Sequence, residues 1–539
     1  MSLTKNINWR FIINNLLLGL FISIVFWIFS WMAIPKNFNW SNLFYRDNFL
    51  IVFLITFIGT FFSYRFRIFY YSFLLLLMYF EYLHITYYGN GIFAVEIWLF
   101  FSEFAEISEG IGNDMLSMFI VPSIVFISSL STIILGLWFT KTKLISSKYL
   151  NYAFILFFTA WPIILYTNQR TLGSNPPNDQ HIVRSGLETY AYFTGVILPK
   201  KLSKQNYNLS ITTPTPKPIN SGANNIVFLL GESLGTSRMQ SFGYSKKTTP
   251  HIIEKIDSGI INQRLCIAGG ACTITSLSAM FNMVDSVGKM AQVISQNTAL
   301  FKLAKKNGYN TYYLSVQSSQ STSDLNNILA TRYIDVFKRS IEINPKLLEK
   351  QPTYDSLLID ELKKIDLSNG KNFIVLHMYG SHENYKDRVV DEDRKFKPQE
   401  YEFEKEAHYD NSVLYQDRVI SKIIDYLKNQ KEAVNFIYTS DHGEKVNVNG
   451  SFGHCNLSKQ VAEVPFIYQN FNTSNDTIQT FPPLITHYDV SILISKYLGY
   501  NVPKKKRNFS YMNYFEIDGS AGYFKIYNND TIITKLEKH

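Results

Sequence analysis

Three short apolar runs in the second half of the chain each end in residues that bind metal or phosphate. Residues 225–230 run into Gly231-Glu232-Ser233, and residues 372–376 run into His377 and then Gly380-Ser381-His382. Residues 434–438 run into Thr439-Ser440-Asp441-His442-Gly443-Glu444. Continuous apolar runs of this length, with helical stretches between them, predict buried strands of a parallel sheet. In open α/β sheets the ligand site lies beyond the carboxyl ends of the strands. The pattern gathers a Glu, an Asp and several His at one rim, a setting for a metal-dependent reaction on an oxygen-rich substrate.

The 539 residues are 46% hydrophobic and 16% aromatic, with a formal net charge of +9. Those averages hide two parts. Residues 1–168 are dominated by Phe, Leu, Ile, Tyr and Trp, whereas residues 200–539 have an ordinary globular composition and suffice for one large domain. Five membrane spans are expected, at 11–34, 48–64, 68–88, 115–140 and 149–167, most approaching the roughly 20 apolar residues that cross a bilayer. The second is the shortest. No cleavable signal peptide is expected, because no small-residue cleavage site follows the first apolar run.

Orientation follows from basic residues in short loops. Lys5 and Arg10 precede the first span, Arg65 and Arg67 separate the second and third, and Lys141, Lys143 and Lys148 separate the fourth and fifth. The 89–114 loop carries Glu96, Glu103, Glu106, Glu109 and Asp114 and no Lys or Arg. The basic segments are expected in the cytoplasm and the acidic loop outside. Five spans from an inside N-terminus then leave the large domain outside. Phe93, Ile97, Phe100, Phe101 and Phe104 interleave with the acidic residues, as in a helix lying in the interface. Glu81 and His84, near the outer end of the third span, could line a lipid headgroup site or snorkel.

Residues 169–223 bridge the two parts, and the Pro-rich stretch 212–218 reads as a stiff linker into a domain spanning 224–539. The chain has three cysteines, Cys266, Cys272 and Cys455. A location outside the cytoplasm permits disulfides. Spacing allows Cys266–Cys272, and geometry decides it. No CxxC zinc knuckle is present, so any metal must take oxygen and nitrogen ligands.

Asp441-His442 directly after a strand, with Glu232 at a neighbouring rim, gives the carboxylate and imidazole set that suits Zn²⁺ or Mn²⁺. A nucleophile is still needed. Residues 268–276 are small and polar and precede an apolar stretch, like a Gly-rich turn opening a helix whose free N–H groups favour an anion. A hydroxyl or thiol there could attack phosphorus. Alone, the segment is as well read as an ordinary helix cap.

Gly231-Glu232-Ser233, then residues 238–244, then Thr248-Thr249-Pro250, resemble the start of the catalytic domain in bacterial membrane phosphoethanolamine transferases of the alkaline phosphatase/sulfatase-like superfamily. Thr273-x-x-Ser276 before Met280-Phe281 resembles that family's nucleophile segment. Tyr409-Asp410-Asn411 resembles its Tyr-Asp-Asn helix, and residues 440–444 resemble its metal motif. The resemblance extends to the N-terminal spans and leans toward members that modify lipopolysaccharide core sugar.

The resemblance implies a five-helix transmembrane bundle followed by an alkaline-phosphatase/sulfatase-like α/β domain with a mostly parallel sheet. It implies Thr273 as nucleophile and Glu232, Thr273, Asp441 and His442 as ligands of zinc, with one or two ions. His382 and His454 would hold phosphate or a second zinc, and one would protonate the leaving oxygen. Ser276, Asp410 and Asn411 are candidate substrate-binding residues, the last two for the ethanolamine ammonium. The donor implied is phosphatidylethanolamine and the acceptor lipopolysaccharide, lipooligosaccharide or lipid A. The implied setting is a bacterial inner membrane, with a monomeric enzyme whose catalytic domain is periplasmic.

The chain departs from the family in its few cysteines and in having Ala271-Cys272, in place of Cys-Gly, before Thr273. Thr275 is a rival hydroxyl. Alternatives are a phosphoglycerol transferase using phosphatidylglycerol and a sulfatase-like phosphohydrolase. A sulfatase proper needs Cys/Ser-x-Pro-x-Arg, and the segment from Cys272 lacks both Pro and Arg. A non-catalytic sensor would have lost a ligand, and none is lost. His377 and His487 read as packing residues, Glu444 as either a support to the metal site or solvent-exposed, and residues 504–507 as a basic turn. The +9 charge is spread along the chain, which gives nucleic-acid binding no support.

Overall fold

The computed structural model describes residues 9–33, 46–88, 91–102, 113–141, 144–168, 182–202, 209, 212–317, 326, 328–345, 354–448, 450–455, 458–473, 481–482, 484–502, 509–513 and 523–527. The chain divides into two compact units, one mainly of residues through Gln205 and one mainly of residues from Asn206 on.

The first unit is helical. Its long helices are Trp9–Ala33, Arg46–Gly59, Tyr64–Tyr88, Asn113–Thr140 and Lys148–Asn168. Three stretches within them are long and apolar enough to cross a membrane: Trp9–Phe29, Tyr64–Ile85 and Phe119–Thr140. The expected count of five is therefore not reproduced. The second expected span contains a shorter apolar helix, Leu50–Gly59. The helix of the fifth, Lys148–Asn168, carries Pro162 inside it and is not among the three. Apolar side chains point both ways. Ile22, Phe26, Phe29, Tyr71, Leu75 and Met78 pack inward, while Leu17, Ile24, Ile120 and Ile124 stay exposed, as lipid-facing residues would.

In the acidic loop a nine-residue helix, Ala94–Ser102, forms; Glu103, Phe104, Glu106 and Glu109 lie outside the described residues. Glu81 is buried and accepts bonds from the Ile92 backbone N–H (3.0 Å) and Ser185 Oγ (3.3 Å), while His84 Nε2 stands 3.2 Å from Glu96. Glu81 thus ties neighbouring segments of this unit together.

The second unit is built on an eight-stranded sheet. In chain order its strands are β1 Asn225–Gly231, β2 Asn262–Ile267, β3 Tyr309–Ser315, β4 Val336–Lys338, β5 Lys371–His377, β6 Val434–Ser440, β9 Glu463–Phe471 and β10 Ile485–Thr486. A separate two-stranded ribbon contains β7 Lys445–Val448 and β8 Ser451–Gly453, and another pairs Phe509–Asn513 with Tyr523–Tyr527. The sheet order is β10-β2-β9-β6-β1-β5-β3-β4. All pairings are parallel except those of β9 with β2 and β6.

The three strands read from the sequence are the centre of this sheet. Side chains alternate faces along a strand. On β1, Val227 and Leu229 join one apolar layer, and Ile226, Phe228 and Leu230 join the other. With both faces covered, every β1 and β6 residue is buried, which is why those segments read as unbroken apolar runs. The long helix Glu404–Lys428 packs into the first layer through Val413, Val419 and Ile423. The helix Thr273–Phe281 packs into the second through Leu277 and Met280.

Register places the site. Leu230 sits opposite both His377 on β5 and Thr439 on β6, and Gly231 opposite Ser440. The residues that follow, Glu232, Met378 and Asp441, therefore emerge at one rim. The Pro-rich stretch is held on this unit: Thr213 N donates to Gln292 Oε1 (2.8 Å) and Ile219 N to the Gly499 carbonyl (2.8 Å). The basic run at 504–507 lies outside the described residues.

Candidate active site

Glu232, Asp441 and His442 meet at the rim, all fully or nearly buried, with ligand atoms within 4.8 Å of one another. Backbone contacts set them there. Asp441 N donates to the Gly231 carbonyl (3.1 Å), and Ser381 N donates to the Glu232 carbonyl (3.0 Å). Gly380, at φ +60°, permits that approach; a Cβ there would lie 2.4 Å from the Glu232 carbonyl oxygen.

Hydrogen bonds fix which atoms face inward. Asp441 Oδ1 accepts from the Ser233 and His442 backbone N–H groups (3.1 and 2.7 Å). Among the described residues no donor reaches its buried Oδ2. His442 Nδ1 bonds the Gly443 carbonyl at 2.9 Å, so this nitrogen carries the proton and Nε2 presents a lone pair. That Nε2 lies 3.2 Å from Asp441 Oδ2 and 3.5 Å from Glu232 Oε1. Three acceptor groups thus converge.

Burial raises the Glu232 carboxyl to about 7, with repulsion from Asp441 adding to it, and raises the Asp441 carboxyl to about 6. Burial drives the His442 imidazolium down to about 4. A buried set of two carboxylates, one bare oxygen and one neutral imidazole is a cation site, and its N/O donors fit zinc.

The hydroxyl that completes the set is Thr273. It opens the helix Thr273–Phe281, and its Oγ lies 3.2 Å from His442 Nε2 and 3.4 Å from Glu232 Oε2. Gly270 lets the preceding turn lie against this helix; a Cβ there would meet Ser276 N at 2.6 Å. Thr275 is buried, 2% exposed.

His454 and His382 stand beyond the set. The His454 ring lies 4.4 Å from that of His442, and the His382 ring 5.6 Å from that of His454. His382 Nδ1 bonds the Glu383 carbonyl at 2.6 Å. Glu444 is fully buried; it bonds His454 Nδ1 (2.9 Å) and accepts from Tyr385 OH (2.5 Å). His442, Glu444 and His454 form a second group able to hold a cation.

A model of the sulfatase family matches residues 224–494. This chain belongs to the sulfatase family. It is 27% identical over 345 residues to the phosphoethanolamine transferase EptA of Helicobacter pylori, covering 58% of this chain and 62% of that protein. It is 28% identical over 264 residues to the Kdo(2)-lipid A phosphoethanolamine 7''-transferase of Escherichia coli K12, covering 46% of this chain and 45% of that protein. The match thus spans less than two thirds of these relatives. Among solved structures, the integral membrane lipooligosaccharide phosphoethanolamine transferase A of Neisseria meningitidis superposes with a TM-score of 0.59 at 15% identity. That superposition covers 90% of this chain and 95% of the other, and it shows the shared fold.

Several residues read as substrate contacts in the sequence take other places. Asp410 accepts from Tyr244 OH and Tyr401 OH (both 2.7 Å) and lies 3.4 Å from Arg238 Nη1. Arg238 also pairs with Glu406 (2.5 Å). Asn411 is bonded twice to the Phe396 backbone. Both have partners within the domain. Ser276 is fully buried: its Oγ donates to the Asp441 carbonyl (2.5 Å) and meets His487 Nδ1 (3.0 Å). It braces the helix Thr273–Phe281 against the residue that follows β6.

His487 completes that brace by accepting from Gly269 N (3.1 Å) at Nδ1 and donating through Nε2 to the Ser440 carbonyl (3.0 Å). His377 lies in the core, bonded to Tyr313 OH (2.6 Å).

The sequence reading missed Gln317, which donates to Glu232 Oε2 (2.7 Å) across 85 residues of chain. It also missed Asp355, which accepts from Tyr379 N (2.6 Å) and Gly380 N (3.1 Å) and fixes the loop leading to His382. Neither carries a local signal. The disulfide differs as well. Cys272 pairs with Cys455, while Cys266 is free and points from β2 into the apolar layer.

Proposed function

We propose that this protein is a zinc-dependent phosphoethanolamine transferase of a bacterial inner membrane, with its catalytic domain in the periplasm. The donor is phosphatidylethanolamine, and the acceptor is a core sugar or lipid A of lipopolysaccharide or lipooligosaccharide. The observation that carries the reading is the Thr273 hydroxyl set against the convergent acceptor atoms of Glu232, Asp441 and His442. The names of the relatives and the helical first unit support it.

Zinc held by Glu232, Thr273, Asp441 and His442 would supply a Lewis acid that lowers the hydroxyl pKa and offsets phosphoryl charge. The protein does the rest. Thr273 Oγ gives its proton to the Glu232 carboxylate and attacks phosphorus, and its bond to phosphorus forms as the bond to the diacylglycerol oxygen breaks. His454 or His382 gives that oxygen its proton. The same two steps in reverse sense pass the group from Thr273 to an acceptor hydroxyl. The helix N-terminus at Thr273 adds donors for phosphate oxygens.

The test is intact mass after incubation with phosphatidylethanolamine and zinc, beside Thr273→Ala and Thr275→Ala. A gain of one phosphoethanolamine that is absent only in Thr273→Ala supports the reading. An adduct from phosphatidylglycerol alone moves the protein to the phosphoglycerol transferases. No adduct from either lipid, with headgroup released to water, makes it a phosphohydrolase.

A further inference from the structure

Glu232 and Asp441 are fixed by the central strands of an eight-stranded sheet. His454 is not. It follows β8, three residues long and part of a two-stranded ribbon outside that sheet. Two-stranded ribbons are marginally stable alone. Its Glu444 partner sits at the foot of the same ribbon, directly before β7. Something else must set His454 against the nucleophile.

One covalent bond does so. Cys272 precedes Thr273, Cys455 follows His454, and the two are disulfide-bonded across a separation of 183 residues, with Cα atoms 4.7 Å apart. A backbone bond runs beside it, Cys455 N to the Ala271 carbonyl at 2.8 Å. Cys455 itself is held at φ +53°, a region that non-glycine residues rarely occupy. Cys272 is the N-cap of the nucleophile helix, yet its side chain makes no cap hydrogen bond. Ser, Thr, Asp or Asn would stabilise the helix better at that position. The chain forgoes a cap there and keeps a half-cystine.

We propose that the Cys272–Cys455 disulfide is a positioning cross-link of the reaction centre, holding the imidazole of His454 in reach of the leaving group at Thr273. The inference rests on the roles given above to Thr273 and His454. The two cysteines act through His454 and touch no substrate. The periplasm would keep the bond oxidised. Reduction by a dithiol would give two thiols and the oxidised dithiol, and it would release the His454 segment without removing any ligand of the first metal set.

The experiment uses the full chain in detergent with zinc. It compares Cys272→Ala, Cys455→Ala and the double variant with wild type before and after dithiothreitol. Turnover should fall roughly ten- to a hundredfold, the range a small misplacement costs. KM and zinc per protein should stay unchanged, and the double variant should be no worse than either single one. In a His454→Gln background, removing the disulfide should change turnover less than about twofold, because coupled residues do not add.

A readout independent of the reaction is amide hydrogen exchange. Protection should fall at residues 452–455 and stay at residues 225–232 and 434–441. Full turnover with a lowered melting temperature would make the bond a stability staple and overturn the proposal. So would an equal loss in the His454→Gln background, or unchanged exchange at 452–455. A wild type that forms no Thr273 adduct while exchange responds as expected would overturn the functional reading and leave the cross-link standing. If a variant fails to fold, reduction of folded wild type with thiol trapping decides the matter.

Discussion

Glu444 holds His454 by Nδ1 at 2.9 Å, with Glu444 fully buried and His454 half-buried beside Glu232, Asp441 and His442. Burial alone pushes the His454 imidazolium down. The charge and hydrogen bond of Glu444, followed by Glu232 and Asp441, more than reverse this and raise it to about 9. The His454 imidazole is thus favoured in its charged form at neutral pH, and Glu444, outside the Glu232–Asp441–His442 set, is the largest attractive cause.

The first prediction is a pH profile. A raised histidine pKa means the charged form is fully present at neutral pH and lost as pH rises through about 9. Turnover should fall on that limb. Glu444→Gln removes the charge, so the limb should move to lower pH. The pair's contribution to stability has the same sign: complete below the ordinary histidine value of 6.5 and lost by about 9. A pH–rate profile of both proteins checks it, and an unmoved limb would assign the proton to another group.

Asp441→Asn should separate stability from function. Asn keeps the Oδ1 acceptor used by Ser233 N and His442 N, and it places a donor where bare Oδ2 faced the His442 lone pair. It also removes the repulsion from Glu232. The variant should melt higher than wild type in chelator, gain nothing from zinc, and form no Thr273 adduct. Wild type should show the opposite, gaining about 4 kcal/mol at zinc a thousandfold above its dissociation constant. Melting curves with chelator and with zinc decide this.

How much of this was legible in the sequence depends on how local each signal is. β1, β5 and β6 announced themselves because both faces are buried and, after Asn225, Asn372 and Asn435 near their starts, each runs apolar toward the rim. The metal set followed because a strand end dictates where the next residue goes. β9 gave no such signal: Pro465 interrupts it and Gln469 and Asn470 end it, yet it lies between β2 and β6. Cys266–Cys272 satisfied spacing alone, and strand direction sent Cys266 into the core. Nothing near Asp410 in the sequence announced Arg238, 172 residues away, which meets it in the fold.

His487→Ala should cost stability and turnover together. It would strip partners from Gly269 N and the Ser440 carbonyl and open a hole beside Ser276 Oγ, whose proton stays on the Asp441 carbonyl. At about 1–3 kcal/mol per unsatisfied buried group, partly relieved by water, a loss of roughly 3 kcal/mol is expected. His487→Gln should recover part of it. Ser276→Ala should cost less, because the Asp441 carbonyl loses one donor and His487 keeps its two backbone partners. Denaturant titration of the three variants orders them.

Asp410 supplies the sharpest contrast between a substrate contact and an internal brace. Its carboxylate takes two tyrosine hydroxyls and faces Arg238, which is itself 8% exposed and paired to Glu406. Asp410→Ala leaves Arg238 with one carboxylate in place of two and strands two hydroxyls. Breaking a buried pair costs about 3–5 kcal/mol, and Glu406 retains part of the compensation, so a loss of about 2–4 kcal/mol is expected. A residue that bound the ethanolamine ammonium would instead raise KM for phosphatidylethanolamine while leaving stability little changed. The expected outcome is a lowered melting temperature with KM unaltered at a temperature where the variant is folded. A raised KM at full stability would return Asp410 to the substrate.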